Sequence, residues 1–541
     1  MGNRLGILLI VVLAAAGLGG WVGDKISARP PSQASQPLLT TLAEAVATVE
    51  EHYVHSLSGQ SLVESAIHGL LRTLDPHSSY FTTSDYSQLQ EQQREKYYGL
   101  GILIRPVGPG TSRVVIVDPP APETPGYKAG LRVGDVISKI DGEAIGELDY
   151  PDEVVSRLRG PKGTTVNISV ERRGVPEPFE VSVERDEIPL HTIKYVFHLG
   201  PHIGYIRLNK FSGTTGDELD RALEQLDEKS LEGLILDLRD NPGGALSQAI
   251  EVADRFLKKG QLIVSTRGRH GKGRQYHAPE GQRHNYPLVV LINESSASAS
   301  EIVAGALQDH DRALIVGRSS FGKALVQTIY PLPGNRGLAL TTGRYYTPSG
   351  RLIQREYSDS LYDYYYSRGD PDQDHGQEHH TDRGRVVFAG GGITPDEEVS
   401  RQHLSRLGQL IAGGNFFYEF AADLQEENRL QDVLNRYFPK NLTDLTLREK
   451  DEAMNQVFMG GDVLLQFKEF LRQKNVAFTD ESFQKTRQLI ESRLKQELFL
   501  TLLGDKESFR ISLEVDQQVQ RAVKLLSKAQ ALLQRQNAKT G

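Results

Sequence analysis

The residues best suited to chemistry lie in one stretch near the middle of the chain, between Pro287 and Gln327. Four serines, at positions 295, 296, 298 and 300, occupy a turn of small residues there. The apolar run Leu288–Ile292 before them predicts a strand buried on both faces, and Glu301–Gln308 after them predicts a helix. A hydroxyl at this junction lies at a helix N-terminus, where unpaired N–H groups and the helix dipole stabilise negative charge. The pattern indicates a serine nucleophile for acyl transfer, and the residue types leave all four hydroxyls as candidates.

Lys323 is the candidate base, because it follows the next apolar run, Ala313–Val316, across a short turn. An exposed lysine has a pKa of about 10.4 and is protonated at neutral pH, so it accepts no proton from serine. Burial beside Phe321 and the sheet would disfavour the charged form and lower the pKa. The neutral amine would then take the serine proton and later donate it to the leaving amine. If Lys323–Tyr330 is a strand, the side chain of Gln327 leaves the same face as that of the lysine.

The elements around this stretch predict a largely parallel α/β sheet. Apolar strands at Gly204–Leu208 and Gly233–Asp237 alternate with helical patterns at 214–226 and 245–257. The functional loops of such sheets lie at the carboxyl ends of the strands. Gly243-Gly244 follows a strand in this way, and paired glycines can turn backbone N–H groups towards a developing oxyanion. An ordinary turn is the alternative interpretation of these two glycines.

Two further regions precede the sheet. From Leu38 to Gln93 apolar residues recur at helical spacing, and His77, in a proline-containing turn, is interpreted as a capping or packing residue. Beyond it the pattern changes to strands, and the loop Gly99-Leu100-Gly101-Ile102 together with AGLRVGDVI resembles a PDZ domain. Glycines let such a loop turn its N–H groups inward as a nest for a terminal carboxylate, and the following strand can pair with an extended peptide. A small β-domain that binds nothing is the alternative.

Several ordered motifs carry a wider resemblance, which spans residues 38–399. They are LDPHSSY, the PDZ-like segment, DLRDNPGG, SSASASEIVAGALQD, SFGKALVQ, RYYTPSGRLIQ and GGGITPD. Together they resemble the carboxyl-terminal processing, or tail-specific, protease family of serine peptidases. The resemblance implies an α/β protease core with an inserted PDZ-like β-rich domain. It implies no metal or cofactor, and it implies protein or peptide C-terminal tails as substrates.

The motif positions carry the family's site residues onto this chain. The resemblance assigns Ser298 as the nucleophile, Lys323 as the general base and Gln327 as the amide that orients the lysine. It assigns the two oxyanion donors to the backbone N–H groups of Gly244 and Ala299. It also assigns peptide binding to the loop Gly99, Leu100, Gly101 and Ile102. One departure from the family pattern is Ala324, which follows the lysine where the family usually has glycine.

Composition and the N-terminus bear on partners and localisation. The 541 residues carry a net charge of -8 and include no cysteine. A chain without a basic field is a poor partner for nucleic acid, and one without cysteine has no disulfides and no thiol catalysis. Leu5–Val22 is an uncharged apolar run after Arg4, so residues 1–27 are predicted to be a signal peptide or a membrane anchor. Either alternative exports the body to a periplasmic or other extracytoplasmic location, in the second case anchored to the inner membrane.

The remaining segments give less specific signals. The stretch Tyr357–Arg385 is polar and contains His375, His379 and His380, whose spacing is not that of metal ligands and predicts a mobile surface loop. Beyond residue 401, apolar stripes at 490, 494 and 498 and at 515, 519, 523 and 526 predict a helical appendage. Its stripes fit packing against the protease body, homo-oligomerisation or docking of an adaptor.

The predicted domain order follows from these segments. Residues 28–37 are a linker, 38–94 a helical N-terminal region, 95–187 the PDZ-like domain, 188–400 the α/β serine protease core, and 401–541 the helical appendage. The predicted function is that of an exported endopeptidase that recognises C-terminal tails and cleaves them through an acyl-enzyme. Two other classes stay open, a catalytically silent PDZ scaffold at the membrane and a non-peptidase esterase or amidase.

Overall fold

The computed structural model divides the chain into two compact units. The first comprises residues 1–96, 190–399 and 521–541, and the second comprises residues 97–189 and 400–520. The structure describes residues 36–93, 96–107, 113–118, 120, 123–147, 152–172, 174–227, 230–269, 273–281, 284–357, 364, 376–400, 404–414, 416–426, 449 and 462–537. The predicted signal peptide or anchor, 1–27, lies outside these residues, as does most of the predicted linker. None of the helices in these ranges is both long enough and apolar enough to cross a membrane.

A six-stranded sheet, the core sheet, forms the centre of the first unit. Its strands lie in the order Ile193–His198, Ile203–Leu208, Gly233–Asp237, Leu288–Ile292, Leu314–Gly317 and Glu397–Glu398. The first pair is antiparallel and all the others are parallel. Every residue of the third and fourth strands is buried, as expected for central parallel strands covered on both faces. The helices that follow the strands are Thr215–Gln225, Leu246–Asp254 and Ala299–Asp309.

A second, five-stranded sheet completes the first unit. Its strands are Ser79–Phe81, Arg336–Tyr346, Leu262–Gly268 and Arg274–His277 in that order, with Leu325–Leu332 paired to Arg336–Tyr346. The helical N-terminal region consists of Gln36–His52, Gly59–Arg72 and Thr83–Gln93. Because Ser79–Phe81 pairs with Arg336–Tyr346, the turn that carries His77 is held at this sheet.

The PDZ-like part of the second unit is a six-stranded antiparallel sheet. The strands follow the order Leu103–Val107, Arg113–Asp118, Val136–Ile140, Thr165–Glu171 and Phe179–Glu184, with Glu143–Ala144 paired to Val136–Ile140. The helices are Pro125–Lys128 and Asp152–Leu158. A separate two-stranded ladder joins Lys96–Gly99 to Asp186–Pro189. Leu103–Val107 is an edge strand, which is the position from which a sheet can accept an added peptide strand.

The C-terminal region is helical, as predicted. Its helices are Arg406–Gly413, Phe416–Glu426, Asp462–Gln473, Asp480–Leu503, Asp505–Glu514 and Gln517–Asn537. The stripe at 490, 494 and 498 is buried in one cluster, whereas Val515 is 42% exposed and lies between two helices. Prediction of a stripe beginning at Val515 was therefore wrong. Asp516 accepts the N–H groups of Gln518 and Val519 and so starts the last helix after that valine.

The polar stretch Tyr357–Arg385 is described only in part, and His375 lies outside the described residues. The prediction of a loop was wrong for His379 and His380, because Glu378–His380 is a strand paired with Val386–Phe388. His379 Nδ1 also lies 3.0 Å from the carbonyl oxygen of Ser349, which fixes its ring. Within the described part of the chain, no group of three or more metal-ligating side chains is placed to hold a metal ion.

Candidate active site

A tight turn joins the central strand Leu288–Ile292 to the helix Ala299–Asp309, and residues 293–298 of this turn are called the elbow. Ser298 ends the elbow with φ of +54°, a left-handed conformation that is uncommon for residues other than glycine. The Glu301 carboxylate accepts the Ser298 N–H at 2.8 Å and holds this conformation. The helix starts two residues before its predicted first residue, so Ser298 lies directly at the helix N-terminus.

The four candidate serines differ in what their hydroxyls do. Ser295 is exposed. Ser296 Oγ donates to the carbonyl oxygen of Leu238 at 2.8 Å, and Ser300 Oγ donates to that of Asn241 at 2.9 Å. Ser298 is buried, and none of the described residues forms a hydrogen bond with its Oγ. Because a buried hydroxyl without a partner is unfavourable, such a group is typical of a site that awaits a ligand.

The glycine loop, residues 241–244, packs directly against the elbow. Asn241 Oδ1 accepts the N–H of Gly243 at 2.9 Å, and the Asn241 carbonyl accepts the N–H of Ala297 at 3.0 Å. Gly243 has φ of +98°, and a Cβ added there would lie only 2.8 Å from the Cβ of Ser298. Only glycine therefore allows the loop to approach the serine this closely.

Two backbone N–H groups beside Ser298 have no acceptor in the described part of the chain, those of Gly244 and Ala299. The N–H of Gly244 belongs to the glycine loop. Ala299 begins the helix, and the N–H of a helix's first residue has no partner within the helix. A Cβ on Gly244 would lie 1.9 Å from the carbonyl oxygen of Phe211, so the loop conformation requires glycine. Free N–H donors at a helix N-terminus can stabilise an oxyanion.

Replacing Gly244 by alanine is expected to lower kcat for peptide cleavage by about 100-fold or more, because the overlap with Phe211 displaces the N–H donor. The measurement is steady-state turnover of a peptide, with circular dichroism reporting the fold. Gly350→Ala is the matched control, since Gly350 also has positive φ, +85°, but a Cβ there meets no atom within 4 Å. Equal losses in both variants would argue for general backbone strain and against a donor role.

Lys323 is buried at the start of the segment that leads into Leu325–Leu332, with 1% of its surface exposed. Burial lowers the pKa of its amine to about 7, and the negative charges of Glu301 and Asp75 oppose that shift. A large part of the lysine population is therefore neutral at neutral pH. Ala324 has no positive φ and lies in the core, so the methyl group that replaces the family's glycine adds no backbone strain.

Gln327 connects the lysine to the turn that carries His77. Lys323 Nζ donates to Gln327 Oε1 at 3.0 Å, and Gln327 Nε2 donates to the His77 carbonyl at 2.7 Å. The predicted strand geometry was wrong in detail, since the strand begins at Leu325 and a bulge separates Val326 from Gln327. The N–H groups of Lys323 and Ala324 cannot pair within the sheet, because the side chains of Glu301 and Gln354 accept them. The side chains of Lys323 and Gln327 meet all the same.

Glu301 connects the elbow to the segment that carries Lys323, a role that was not predicted from the sequence. Its carboxylate accepts four hydrogen bonds at 2.5–2.9 Å, from the N–H groups of Ser298, Gly322 and Lys323 and from Ser320 Oγ. Burial raises the pKa of Glu301, and these donors act in the opposite direction. The spacing Ser-x-x-Glu at a helix start is a capping signal that points to this contact.

Tyr345 is a second residue that connects the elbow to the lysine segment, and its role was not predicted from the sequence either. Its hydroxyl lies 2.5 Å from the carbonyl oxygen of Lys323 and 3.1 Å from that of Ser298. Ser298 and Lys323 thus share two partners, because one oxygen of Glu301 also accepts both of their N–H groups. These shared contacts bring the two residues together in one buried site.

Changing Glu301 to glutamine is expected to destabilise the fold by about 2–4 kcal/mol, because an NH₂ group would then face N–H donors in a buried site. The free energy of unfolding in urea measures the effect. Glu398→Gln is the control, an exposed position where a change within about 0.5 kcal/mol is expected. A loss at Glu301 no larger than that of the control would contradict a stabilising role for its four hydrogen bonds.

The predicted peptide-binding loop lies in the second unit, against the short helix Pro125–Lys128. The Leu100 carbonyl accepts the N–H of Gly126 at 2.8 Å, and Gly101 has φ of +69°. Among the described residues, none accepts a hydrogen bond from the backbone N–H groups of Leu100, Gly101 and Ile102. A turn of this kind with free N–H groups can bind a carboxylate.

Comparison with known proteins gives matches to two family models, to relatives and to a solved structure. Residues 202–359 match peptidase family S41, and residues 116–172 match the PDZ domain. A carboxy-terminal-processing protease of Bartonella bacilliformis is 45% identical over 312 residues, which cover 57% of this chain and 70% of that protein. A carboxyl-terminal-processing protease of Synechocystis sp. is 37% identical over 310 residues, which cover 57% of this chain and 72% of that protein. The solved structure of a photosystem II D1 C-terminal processing protease is 28% identical, with a TM-score of 0.37, and covers 69% of this chain and 95% of that one.

Proposed function

The chain belongs to the carboxy-terminal processing proteases of peptidase family S41, which are serine peptidases, and we propose that Ser298 is its nucleophile and Lys323 its base. The observation that carries the proposal is a buried hydroxyl without a partner, in one site with a lysine whose pKa is about 7. A buried neutral amine near such a hydroxyl is the arrangement that serine–lysine catalysis needs.

In the first half of the reaction, Ser298 Oγ attacks the carbonyl carbon of the scissile peptide while its proton passes to Lys323 Nζ. The N–H groups of Gly244 and Ala299 stabilise the oxyanion of the tetrahedral intermediate. When the intermediate collapses, the carbon–nitrogen bond breaks and the lysine gives its proton to the leaving amine. The product is an ester between Ser298 and the N-terminal part of the substrate.

In the second half, water resolves the ester. The neutral lysine takes a proton from the water as its oxygen attacks the ester carbonyl, and the same two N–H groups bind the new oxyanion. Collapse returns the proton from the lysine to Ser298 Oγ and releases a carboxylic acid. Gln327 accepts a hydrogen bond from the amine and so orients its lone pair during both halves.

We propose that the loop 99–102 of the PDZ-like domain captures the substrate's terminal carboxylate. Its three N–H groups, for which no described residue is an acceptor, supply the donors, and the edge strand Leu103–Val107 supplies a place for the extended tail. The substrate class is therefore a protein with an unstructured, unmodified C-terminus.

A pair of reporter proteins with one identical tail tests this function. One reporter ends in a free carboxylate and the other in a C-terminal amide. We expect Ser298-dependent cleavage of both, with a kcat/KM about tenfold higher for the free carboxylate, because the amide lacks the charge that the loop recognises. Binding without cleavage would indicate a scaffold, and turnover of small esters without peptide cleavage would indicate an esterase.

The loop itself is tested by Gly101→Ala. A Cβ on Gly101 would lie 2.6 Å from the Cβ of Thr124, so the loop must move and KM for the free-carboxylate reporter should rise by about tenfold. Gly130→Ala is the matched control, since Gly130 also has positive φ, +77°, and open space around its Cβ position. A rise in KM for both variants, or for neither, would contradict capture by this loop.

Export completes the proposal. The apolar run Leu5–Val22 supports translocation of the protein body, either with cleavage or with retention as an anchor. Fractionation of cells that produce the full chain, with N-terminal sequencing of the product, separates the two. Recovery of the intact chain in the cytosol would overturn export.

A further inference from the structure

Tyr364 is buried beside the candidate active site, although it comes from the polar stretch 357–385. Only 1% of its surface is exposed, and it forms a small apolar cluster with Ala297 and Phe321. Ala297 directly precedes Ser298, and Phe321 lies two residues before Lys323. The Tyr364 ring therefore packs against both the elbow and the segment that delivers the lysine.

The ring also makes edge-to-face contacts with three described residues, one of which is Tyr357, at a centroid distance of 5.5 Å with the planes at 63°. The Tyr364 centroid lies 5.8 Å from that of Phe321, with the planes at 87°, and 5.4 Å from that of His77, with the planes at 74°. Such contacts fix the orientation of a ring as well as burying it. Tyr364 consequently fills space on the side of the site where the Gln327–His77 contact lies.

Hydrogen bonds of the Tyr364 hydroxyl lead back to Lys323 by two routes. On one side the hydroxyl lies 2.7 Å from His77 Nε2, and the His77 carbonyl accepts from Gln327, which accepts from the lysine amine. On the other side Gln354 Nε2 donates to the hydroxyl at 3.2 Å, and Gln354 Oε1 accepts the N–H of Ala324. These bonds connect the hydroxyl to the lysine amine on one side and to the backbone of the residue after the lysine on the other.

The backbone of Tyr364 is held in the same way. Arg355 donates to its carbonyl oxygen at 3.0 Å, and the N–H of Arg355 donates to the Gly322 carbonyl at 2.8 Å. The segment that carries Gln354 and Arg355 is thereby attached to the residues on either side of Lys323. Tyr364 is tied to the lysine segment by its ring, its hydroxyl and its backbone.

We propose that Tyr364 is a positioning residue for Lys323. The ring of Tyr364 keeps water from the lysine amine, and its hydroxyl fixes the His77 and Gln327 contacts. The inference rests on the proposed function, in which the lysine acts as base.

The proposal agrees with the charges around the amine. Burial is the main cause that lowers the pKa of Lys323 to about 7, and the carboxylates of Glu301 and Asp75 oppose it. His77 stays neutral, because burial and the nearby lysine lower its pKa to about 2, and Tyr345 faces the lysine carbonyl rather than the amine. No neighbouring cation holds the lysine neutral among these groups, so exclusion of water must do so.

The test compares Tyr364→Ala with Tyr364→Phe in the full-length enzyme, using the pH dependence of kcat/KM for the free-carboxylate reporter. Wild type should lose activity below about pH 7. In Tyr364→Ala the midpoint of this acid limb should move up by about one pH unit or more, because water reaches the amine. Activity at pH 7 should fall by about tenfold and recover near pH 9. Tyr364→Phe keeps the ring, so its midpoint should stay in place while kcat falls by about threefold through loss of the hydroxyl bonds.

Tyr276→Ala is the control for loss of a packed tyrosine. Tyr276 lies on the strand Arg274–His277 and packs against the hydrophobic core around the core sheet. It should lower the unfolding midpoint in urea without moving the acid limb. If Tyr364→Ala does not fold, Tyr364→Val, which leaves part of the ring's volume empty, replaces it in the comparison, and its midpoint should rise by about half a pH unit or more.

A second measurement does not depend on turnover. A lysine with a lowered pKa in the folded state makes the free energy of unfolding rise with pH between about 7 and 10, because the unfolded chain binds the extra proton. That rise should be smaller in Tyr364→Ala than in wild type. An unchanged acid limb and an unchanged rise would overturn the inference, as would a kcat/KM increased at every pH, which would mean that the ring only blocks the site. Absence of Ser298-dependent cleavage in wild type would instead reject the proposed function, while the unfolding measurement still tests Tyr364.

Discussion

Ser298→Ala should abolish peptide cleavage while leaving the fold unchanged. The hydroxyl forms no hydrogen bond with any described residue, so its removal leaves no donor or acceptor unpaired and should change the free energy of unfolding by less than about 1 kcal/mol. Without the nucleophile no acyl-enzyme forms, and kcat should fall by about 10⁴-fold or more. Cleavage of the free-carboxylate reporter and urea unfolding measure the two effects.

Its neighbours provide matched controls. Ser296→Ala and Ser300→Ala each remove a hydroxyl that donates to a buried backbone carbonyl, so each should lower stability by about 1–3 kcal/mol. The folded fraction of either variant should still cleave the reporter, because neither hydroxyl is free to attack. Retention of activity in Ser298→Ala, or its complete loss in a folded Ser296→Ala enzyme, would assign the nucleophile elsewhere.

Lys323→Met should remove activity as completely, for a different reason. Methionine keeps an apolar stem of similar length but cannot accept a proton, so Ser298 stays protonated and kcat should fall by about 10³-fold or more. In wild type, kcat/KM should rise about tenfold per pH unit up to pH about 7 and then level, which reports the neutral amine. The variant's residual activity should show no such limb.

The same variant gives a thermodynamic check. Wild type should gain stability as pH rises from about 7 to 10, since the folded lysine has already lost a proton that the unfolded chain still binds. In Lys323→Met this gain should disappear. Lys128→Met, at an exposed lysine of the PDZ-like unit, is the control and should retain both the gain and the activity. A wild-type curve that is flat over this interval would mean that the lysine is charged in the folded state.

Much of the architecture could be read from local patterns. The strand Gly233–Asp237 agrees with its predicted bounds, because a continuous apolar run is a local property of the chain. The central strand Leu288–Ile292 was equally clear, since only a strand covered on both faces is apolar throughout. Errors arose where distant contacts set a boundary. The strand after Lys323 starts late because Glu301 and Gln354 accept the N–H groups that would otherwise enter the sheet.

The roles of His77, Glu301 and Tyr345 in the site could not be predicted from local patterns in the sequence. His77 lies 250 residues from Gln327, whose amide its carbonyl accepts, and nothing in its own turn announces that contact. The spacing of Glu301 from Ser298 is a local signal for a helix cap. The contacts of Glu301 with Ser320, Gly322 and Lys323 form only when the segment leading into Leu325–Leu332 packs against the elbow. Such partners appear only when the chain is folded.

The order of motifs, the resemblance to the family, and the alternation of strands and helices could all be predicted, because each depends on residue type and spacing along the chain. Two properties depend on the folded structure: which of the three buried hydroxyls has no partner among the described residues, and how far the lysine's pKa is lowered. The carbonyl oxygens of Leu238 and Asn241 accept hydrogen bonds from the other two buried serines, and packing from several distant segments removes water from the amine. Both properties therefore depend on atoms that are far apart in the sequence.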